Sequence, residues 1–173
     1  MKKFLQYSGI CALLLGAAAL ILMMVTPGIL STGQLGSHTF PGMTIIFGGT
    51  AVASSGGASA SLFTYKPSPM GLIAWILAIV ALGIVLLGVI LPALKIKVLE
   101  KFAGLLNLCA VVLFVLAGVF MFIIIPTFSA ANDNMNLNNY GLGAGWIIGA
   151  ILFIAAGAVA ILPTIADFVG RKK

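Results

Sequence analysis

Four apolar stretches, at residues 4–26, 70–91, 102–125 and 144–162, constrain this chain more than any other feature. A helix needs about 20 apolar residues to cross a ~30 Å hydrocarbon core, and each stretch has that length. No water reaches that core, so the backbone must pair with itself and such a run reads as helix. With four crossings, the connecting segments alternate sides. Lys2, Lys3, Lys95, Lys97, Lys101, Arg171, Lys172 and Lys173 then fall on one side, and Lys66 alone on the other. Basic residues stay cytoplasmic during insertion, which places both termini and the 92–101 connection on the inner side of a plasma membrane. The expected architecture is an all-α integral membrane protein: a four-transmembrane-helix antiparallel bundle with outer loops at 27–69 and 126–143.

The charge content agrees. Only 7% of the 173 residues are charged and 62% are hydrophobic, whereas about a quarter of a soluble domain is charged. The spans take up so much of the chain that no second domain of ordinary size fits, and residues 1–173 read as a single membrane domain. The formal net charge of +6 would suggest nucleic acid in a soluble protein. Here the cations read as topology signals and contacts with anionic lipid, each contributing on the order of 1 kcal/mol. Met1-Lys2-Lys3 before an apolar run also describes a secretory signal. The run from 10 to 25 is longer than a signal core, and Val25-Thr26-Pro27-Gly28 offers no small-x-small cleavage site. The first span is therefore expected to stay uncleaved. Cys11 and Cys109 each lie a short way inside a span that enters from the cytoplasm. They read as small apolar packing residues rather than a disulfide.

The first outer loop is turn-rich. Met43-Thr44-Ile45-Ile46-Phe47 and Ser59-Ala60-Ser61-Leu62-Phe63-Thr64-Tyr65 are β-prone, and Ser54-Ser55-Gly56-Gly57 between them is a turn sequence. Together they predict a small extracellular β-hairpin, extended through residues 51–53, with Gly48-Gly49 marking a bulge. Its apolar residues Ile45, Phe47, Phe63 and Tyr65 are the candidates for outer-loop interaction. Pro67 and Pro69 end the strand. The second outer loop carries Asn132, Asn134, Asn136, Asn138 and Asn139, with Asp133 as its one charge. Asparagine suits turns and caps, so this loop reads as a polar lid. None of these asparagines begins a glycosylation sequon.

The second and fourth spans share a pattern. Ala74-Trp75-Ile76-Leu77-Ala78 aligns with Gly145-Trp146-Ile147-Ile148-Gly149, and at the same offset Ile90-Leu91-Pro92 aligns with Ile161-Leu162-Pro163. Two copies of a helix–loop–helix unit, related by an axis along the membrane normal, would produce this. Apolar burial does not drive association inside lipid, so spans meet where small residues let backbones approach. Ala12, Gly16, Ala74, Ala78, Gly141, Gly145 and Gly149 are the helix-packing candidates. Gly141, Gly145 and Gly149 are expected to form consecutive small-xxx-small steps on one helix face. Ala103, Ala110 and Ala117 offer a heptad-spaced surface. Asn107 joins the packing candidates as a polar residue inside the third span, where it should face another helix. Trp146, Tyr140 and Trp75 read as interfacial anchors.

Catalysis needs titratable or nucleophilic groups gathered at one place. The chain has one histidine and three acids. His38 lies in the outer loop, far in sequence from Asp133, and Asp167 pairs with Arg171 at a solvated helix end. No catalytic residue, metal ligand or cofactor site is expected. In topology and loop proportions the chain resembles the claudin and peripheral-myelin-protein type of tetraspan. Residues 27–69 contain no Trp and no Cys, so the claudin Gly-Leu-Trp and paired cysteines are absent and no functional residue carries over. The large second loop and Cys-Cys-Gly of tetraspanins are also absent. The Met-Lys-Lys-Phe-Leu opening is bacterial in style. The expected function is that of a non-enzymatic tetraspan acting by assembly with itself or with another membrane protein, as scaffold or accessory subunit. The competing class is an oligomeric channel, holin-like pore or small transporter.

Overall fold

The computed structural model describes residues 2–31, 39–55, 58–94 and 103–170. The chain runs α1 (Lys2–Val25), β1 (Pro27–Ser31), β2 (Thr39–Pro41), α2 (Gly42–Phe47), β3 (Gly49–Ser55), β4 (Ala58–Tyr65), α3 (Pro69–Leu94), α4 (Ala103–Phe122), α5 (Ile124–Ala131), β5 (Tyr140–Leu142) and α6 (Ala144–Gly170). The structure is mostly helical, with two small antiparallel sheets. Four helices are long and apolar enough to cross a membrane, at Tyr7–Val25, Pro69–Ile90, Leu105–Phe122 and Ala144–Leu162. Each falls within the stretch expected from hydropathy, apart from one residue at the start of the second.

Helix α1 packs against α3 and α6, and α4 packs against the same two. The interior of this arrangement is small. Ala12, Ala19, Ala78, Ala110, Ala117 and Ala156 are fully buried, interleaved with Phe114, Phe153 and Met121. The large branched residues point outward, with Leu14, Ile21, Leu87, Val112, Ile148 and Ile151 exposed. A soluble protein reverses this arrangement, because only water drives large apolar groups inward.

The third apolar stretch is two helices, broken at Ile123 (φ −98°, ψ 19°). Pro126 lacks an N–H to donate to Phe122, and its ring crowds that carbonyl, so the regular ladder stops one turn before it. Thr127 Oγ1 donates instead to the carbonyl of Ile124 at 2.9 Å.

The first outer loop departs from expectation in its first half. Residues 43–47, read as a strand, lie in the short helix α2. Gly42, Ile45 and Ile46 are buried, while Met43 and Phe47 are exposed. Adjacent residues on a strand face opposite sides, so a strand with one face on the core would bury only one of Ile45 and Ile46, whereas a helix can turn both inward. Gly48, at φ 77°, ends this helix in a region that favours glycine. A Cβ there would also sit 2.7 Å from the Tyr65 carbonyl.

The expected hairpin exists one segment later, as β3 paired with β4 from Gly49↔Tyr65 to Ser55↔Ala58. Its bulge is not at Gly48-Gly49. The register shifts between Ala51 and Val52, which leaves Leu62 as the extra residue on β4. The turn residues Gly56 and Gly57 lie outside the described residues.

A second sheet was not expected. Strand β1 lies in the middle of the order β2-β1-β5. It pairs Ile29↔Phe40 and Leu30↔Thr39 on one side, and Ile29↔Leu142, Leu30↔Gly141 and Ser31↔Tyr140 on the other. The two outer loops are thus hydrogen-bonded into one layer.

Candidate functional site

The two outer loops and the helix ends beneath them form a continuous cap, which holds most of the specific polar and aromatic contacts among the described residues. Its base is Trp146, fully buried near the start of α6. The indole Nε1 donates to the Met121 carbonyl at 3.0 Å. Met121 sits in the last turn of α4, where carbonyls lose their helical partners, so the indole fills a need created by the break at Ile123. The ring also lies against Gly28 and Gly42, where an added Cβ would approach it to 2.7 and 3.0 Å. Trp146 is therefore a core residue, not the interfacial anchor expected. Its repeat partner Trp75 is only half-buried. It meets Phe47 edge-on at 5.0 Å, and its Nε1 is buried with no partner. The two tryptophans aligned in sequence thus occupy different environments.

Ser68 joins three elements. It is fully buried and precedes Pro69 at the start of α3. Its N–H donates to the Ile45 carbonyl at 2.8 Å, and its hydroxyl shares a hydrogen bond with Thr127 at 2.9 Å. The hydroxyl also accepts from the Gly71 N–H at 3.4 Å. Serine followed by proline can start a helix, although Pro67 and Pro69 read only as the end of a strand in the sequence. The partners on α2 and α5 were not readable from it.

Above this layer Phe40, Tyr65, Phe128 and Tyr140 cluster. The Phe40 ring centroid is 5.2 Å from those of Tyr65 and Phe128 and 5.8 Å from that of Tyr140. Such edge-on pairs contribute about 0.5–1.5 kcal/mol each beyond area burial. Asn132 clasps the backbone of Lys66, accepting from its N–H at 2.7 Å and donating to its carbonyl at 3.1 Å. Lys66 Nζ and Asp133 lie 3.4 Å apart in an exposed pair, which adds little stability in high dielectric. Asp133 and Asn134 adopt φ of 58° and 57°, a turn geometry that these side chains tolerate. An open depression of about 530 Å³ beside this turn is lined by Ile125, Ser129, Asn134, Met135, Asn136 and Asn138 among others, with no titratable group.

The residues singled out in the sequence fall into two groups. Ala12, Gly16, Ala74, Ala78 and Gly149 are buried within the chain, and Gly145 is partly so. A Cβ on Gly149 would lie 3.3 Å from the Ala19 carbonyl, and one on Gly16 would lie 2.9 Å from the Phe114 ring. Gly141 is not on a helix face. It belongs to β5 opposite Leu30, before α6 begins at Ala144, so of the two expected small-xxx-small steps only Gly145 to Gly149 remains. Asn107 is half-buried, with its Oδ1 3.0 Å from where a Cβ on Gly88 of α3 would stand. Cys11 and Cys109 are free and exposed on their helices rather than packed inside.

Of the outer-loop candidates, Ile45 is fully buried under the cap and cannot meet a partner. Tyr65 is held in the ring cluster, and Phe47 is exposed beside Trp75. Phe63 sits in β4 opposite Ala51. His38, the 95–102 connection and the partner expected for Asp167, Arg171, lie outside the described residues. Among the described residues no three His, Cys, Asp or Glu side chains come together. Comparison with protein-family models and with curated proteins returns no match to this chain.

Proposed function

We propose that this chain is a non-enzymatic tetraspan of the plasma membrane, a four-helix antiparallel bundle with cytoplasmic termini that acts by assembly with itself or with another membrane protein. The bundle reading rests on the four apolar helices and their outward girdle of Leu, Ile and Val. The orientation rests on the one-sided distribution of Lys and Arg.

One observation carries the assembly reading. Ala12, Gly16, Ala74, Ala78 and Gly149 are buried within the chain, while among the described residues β3 and β4 pair only with each other. Unpaired edges are templates for another strand. Residues 39–65, which contain the hairpin, include no charged residue to discourage such pairing. The cap beneath is cross-linked by Trp146, Ser68, Asn132 and the ring cluster, and so holds the hairpin base in a fixed place.

Native mass spectrometry of the protein released with its lipids tests the reading. A discrete assembly, of one chain type or two, is expected. A bare monomer over the whole accessible concentration range refutes it.

A further inference from the structure

We infer, resting on the membrane reading above, that helix α2 of the first outer loop lies in the outer membrane interface and presents Met43 and Phe47 to lipid, where headgroups give way to acyl chains. Its contacts with the ends of the spans fix its level. At its start, a Cβ on Gly42 would run into the Met23 carbonyl of α1, two residues inside the apolar span Tyr7–Val25. In its middle, the Ile45 carbonyl accepts from the Ser68 N–H at 2.8 Å, and a Cβ on Gly71 would stand 3.4 Å from Ile45. Ser68 immediately precedes the span Pro69–Ile90. At its end, the Phe47 ring meets Trp75 at 5.0 Å. Trp75 is six residues into that span, about 9 Å along the helix at ~1.5 Å per residue. A helical side chain leans back toward the N-terminus, so the two rings lie within the outermost ~9 Å of the apolar layer.

The two faces of α2 differ. Ile45 and Ile46 are fully buried, whereas Met43 and Phe47 are 46% and 44% exposed. Four residues apart, Met43 and Phe47 share one side of the helix. That side continues into the outward girdle. Trp75 is half-buried, and Ile76, Ile79 and Val80 beyond it on α3 are exposed. Whatever covers Ile76 and Ile79 reaches Phe47 by way of Trp75, and in the membrane reading that is lipid. Residues 39–65 include no charged residue, so no charge has to leave water for α2 to settle at this depth. An interfacial helix sinks its apolar face about 5–10 Å into the boundary between headgroups and acyl chains. Having no Lys or Arg, α2 takes acyl chain and glycerol as its partner rather than a charged headgroup.

The test uses the full chain in vesicles of phosphatidylcholine, with Cys11→Ala and Cys109→Ala as background. Nitroxide labels are attached singly through Met43→Cys and Phe47→Cys. Val112→Cys, exposed in the middle of a span, is the lipid control, and Lys66→Cys, exposed in the cap, is the aqueous control. Electron paramagnetic resonance reads collisions with oxygen, which concentrates in lipid, and with a water-soluble nickel chelate. The oxygen-to-chelate ratio at residues 43 and 47 is expected to shift from the residue 66 value toward the residue 112 value. Ratios equal to that at residue 66, with a high ratio at residue 112, overturn the lipid contact and leave the membrane reading standing. Few collisions with either reagent at residues 43 and 47 show protein over this face and overturn lipid as its occupant. An aqueous ratio at residue 112 overturns the membrane reading and this inference with it. The two labels sit in separate chains, so a label that prevents folding at one site leaves the other to decide.

Discussion

Trp146 and Trp75 align in sequence, yet their removal should cost very different amounts. In Trp146→Phe the Met121 carbonyl loses the donor 3.0 Å away. That carbonyl lies in a buried setting, and an unsatisfied buried acceptor costs about 1–3 kcal/mol. The smaller ring also leaves a void on the order of 40 Å³ against Gly28 and Gly42, which at ~24 cal/mol per Å³ adds about 1 kcal/mol. The expected loss is about 2–4 kcal/mol. In Trp75→Phe no hydrogen bond is lost, because Nε1 has no partner. The half-buried ring can keep its edge contact with Phe47, and a loss of about 0–1 kcal/mol is expected. Reversible unfolding of both variants in mixed micelles, followed by circular dichroism at matched slopes, measures the difference. Equal losses within about 0.5 kcal/mol, or a larger loss at Trp75, would refute the reasoning that the carbonyl freed at the helix break anchors the cap.

Gly145→Leu and Gly149→Leu should force α6 away from α1, since a Cβ at these positions already meets Thr26 and the Ala19 carbonyl; an unfolding loss of at least about 1–3 kcal/mol is expected in each. Ser68→Ala should cost about 0.5–2 kcal/mol as a lost helix cap, with faster amide exchange at Gly71, whose N–H the hydroxyl accepts. Asn107→Leu should cost no more than about 2 kcal/mol and leave reconstituted vesicles as tight as the parent does. Solute flux that depends on Asn107 would instead support the oligomeric channel.

The four apolar helices were legible because their signal is local. Twenty apolar residues in a row meet the bilayer condition whatever the rest of the chain does. The helix start at Ser68-Pro69 rests on an equally local signal, but Pro67 and Pro69 read in the sequence only as the end of a strand. Residues 43–47 were misread because β-branched composition suggested a strand, while burial of the adjacent pair Ile45 and Ile46 on one side suits a helix. That burial came from the space beneath the cap, bounded by Gly28, Trp146 and Gly71. The pairing of Ile29 with both Phe40 and Leu142 joins segments more than a hundred residues apart in sequence. No pattern within either segment names the other.

By itself, then, the sequence determined the number of helices long and apolar enough to cross a membrane, the limits of those apolar segments to within a few residues, and the one-sided placement of its cations, since hydropathy and charge act residue by residue. Only the tertiary structure decided which small residues are buried inside, which tryptophan is the anchor, and how the two outer loops close into one cap. Each of those depends on which distant backbone group lacks a partner once the helices have packed.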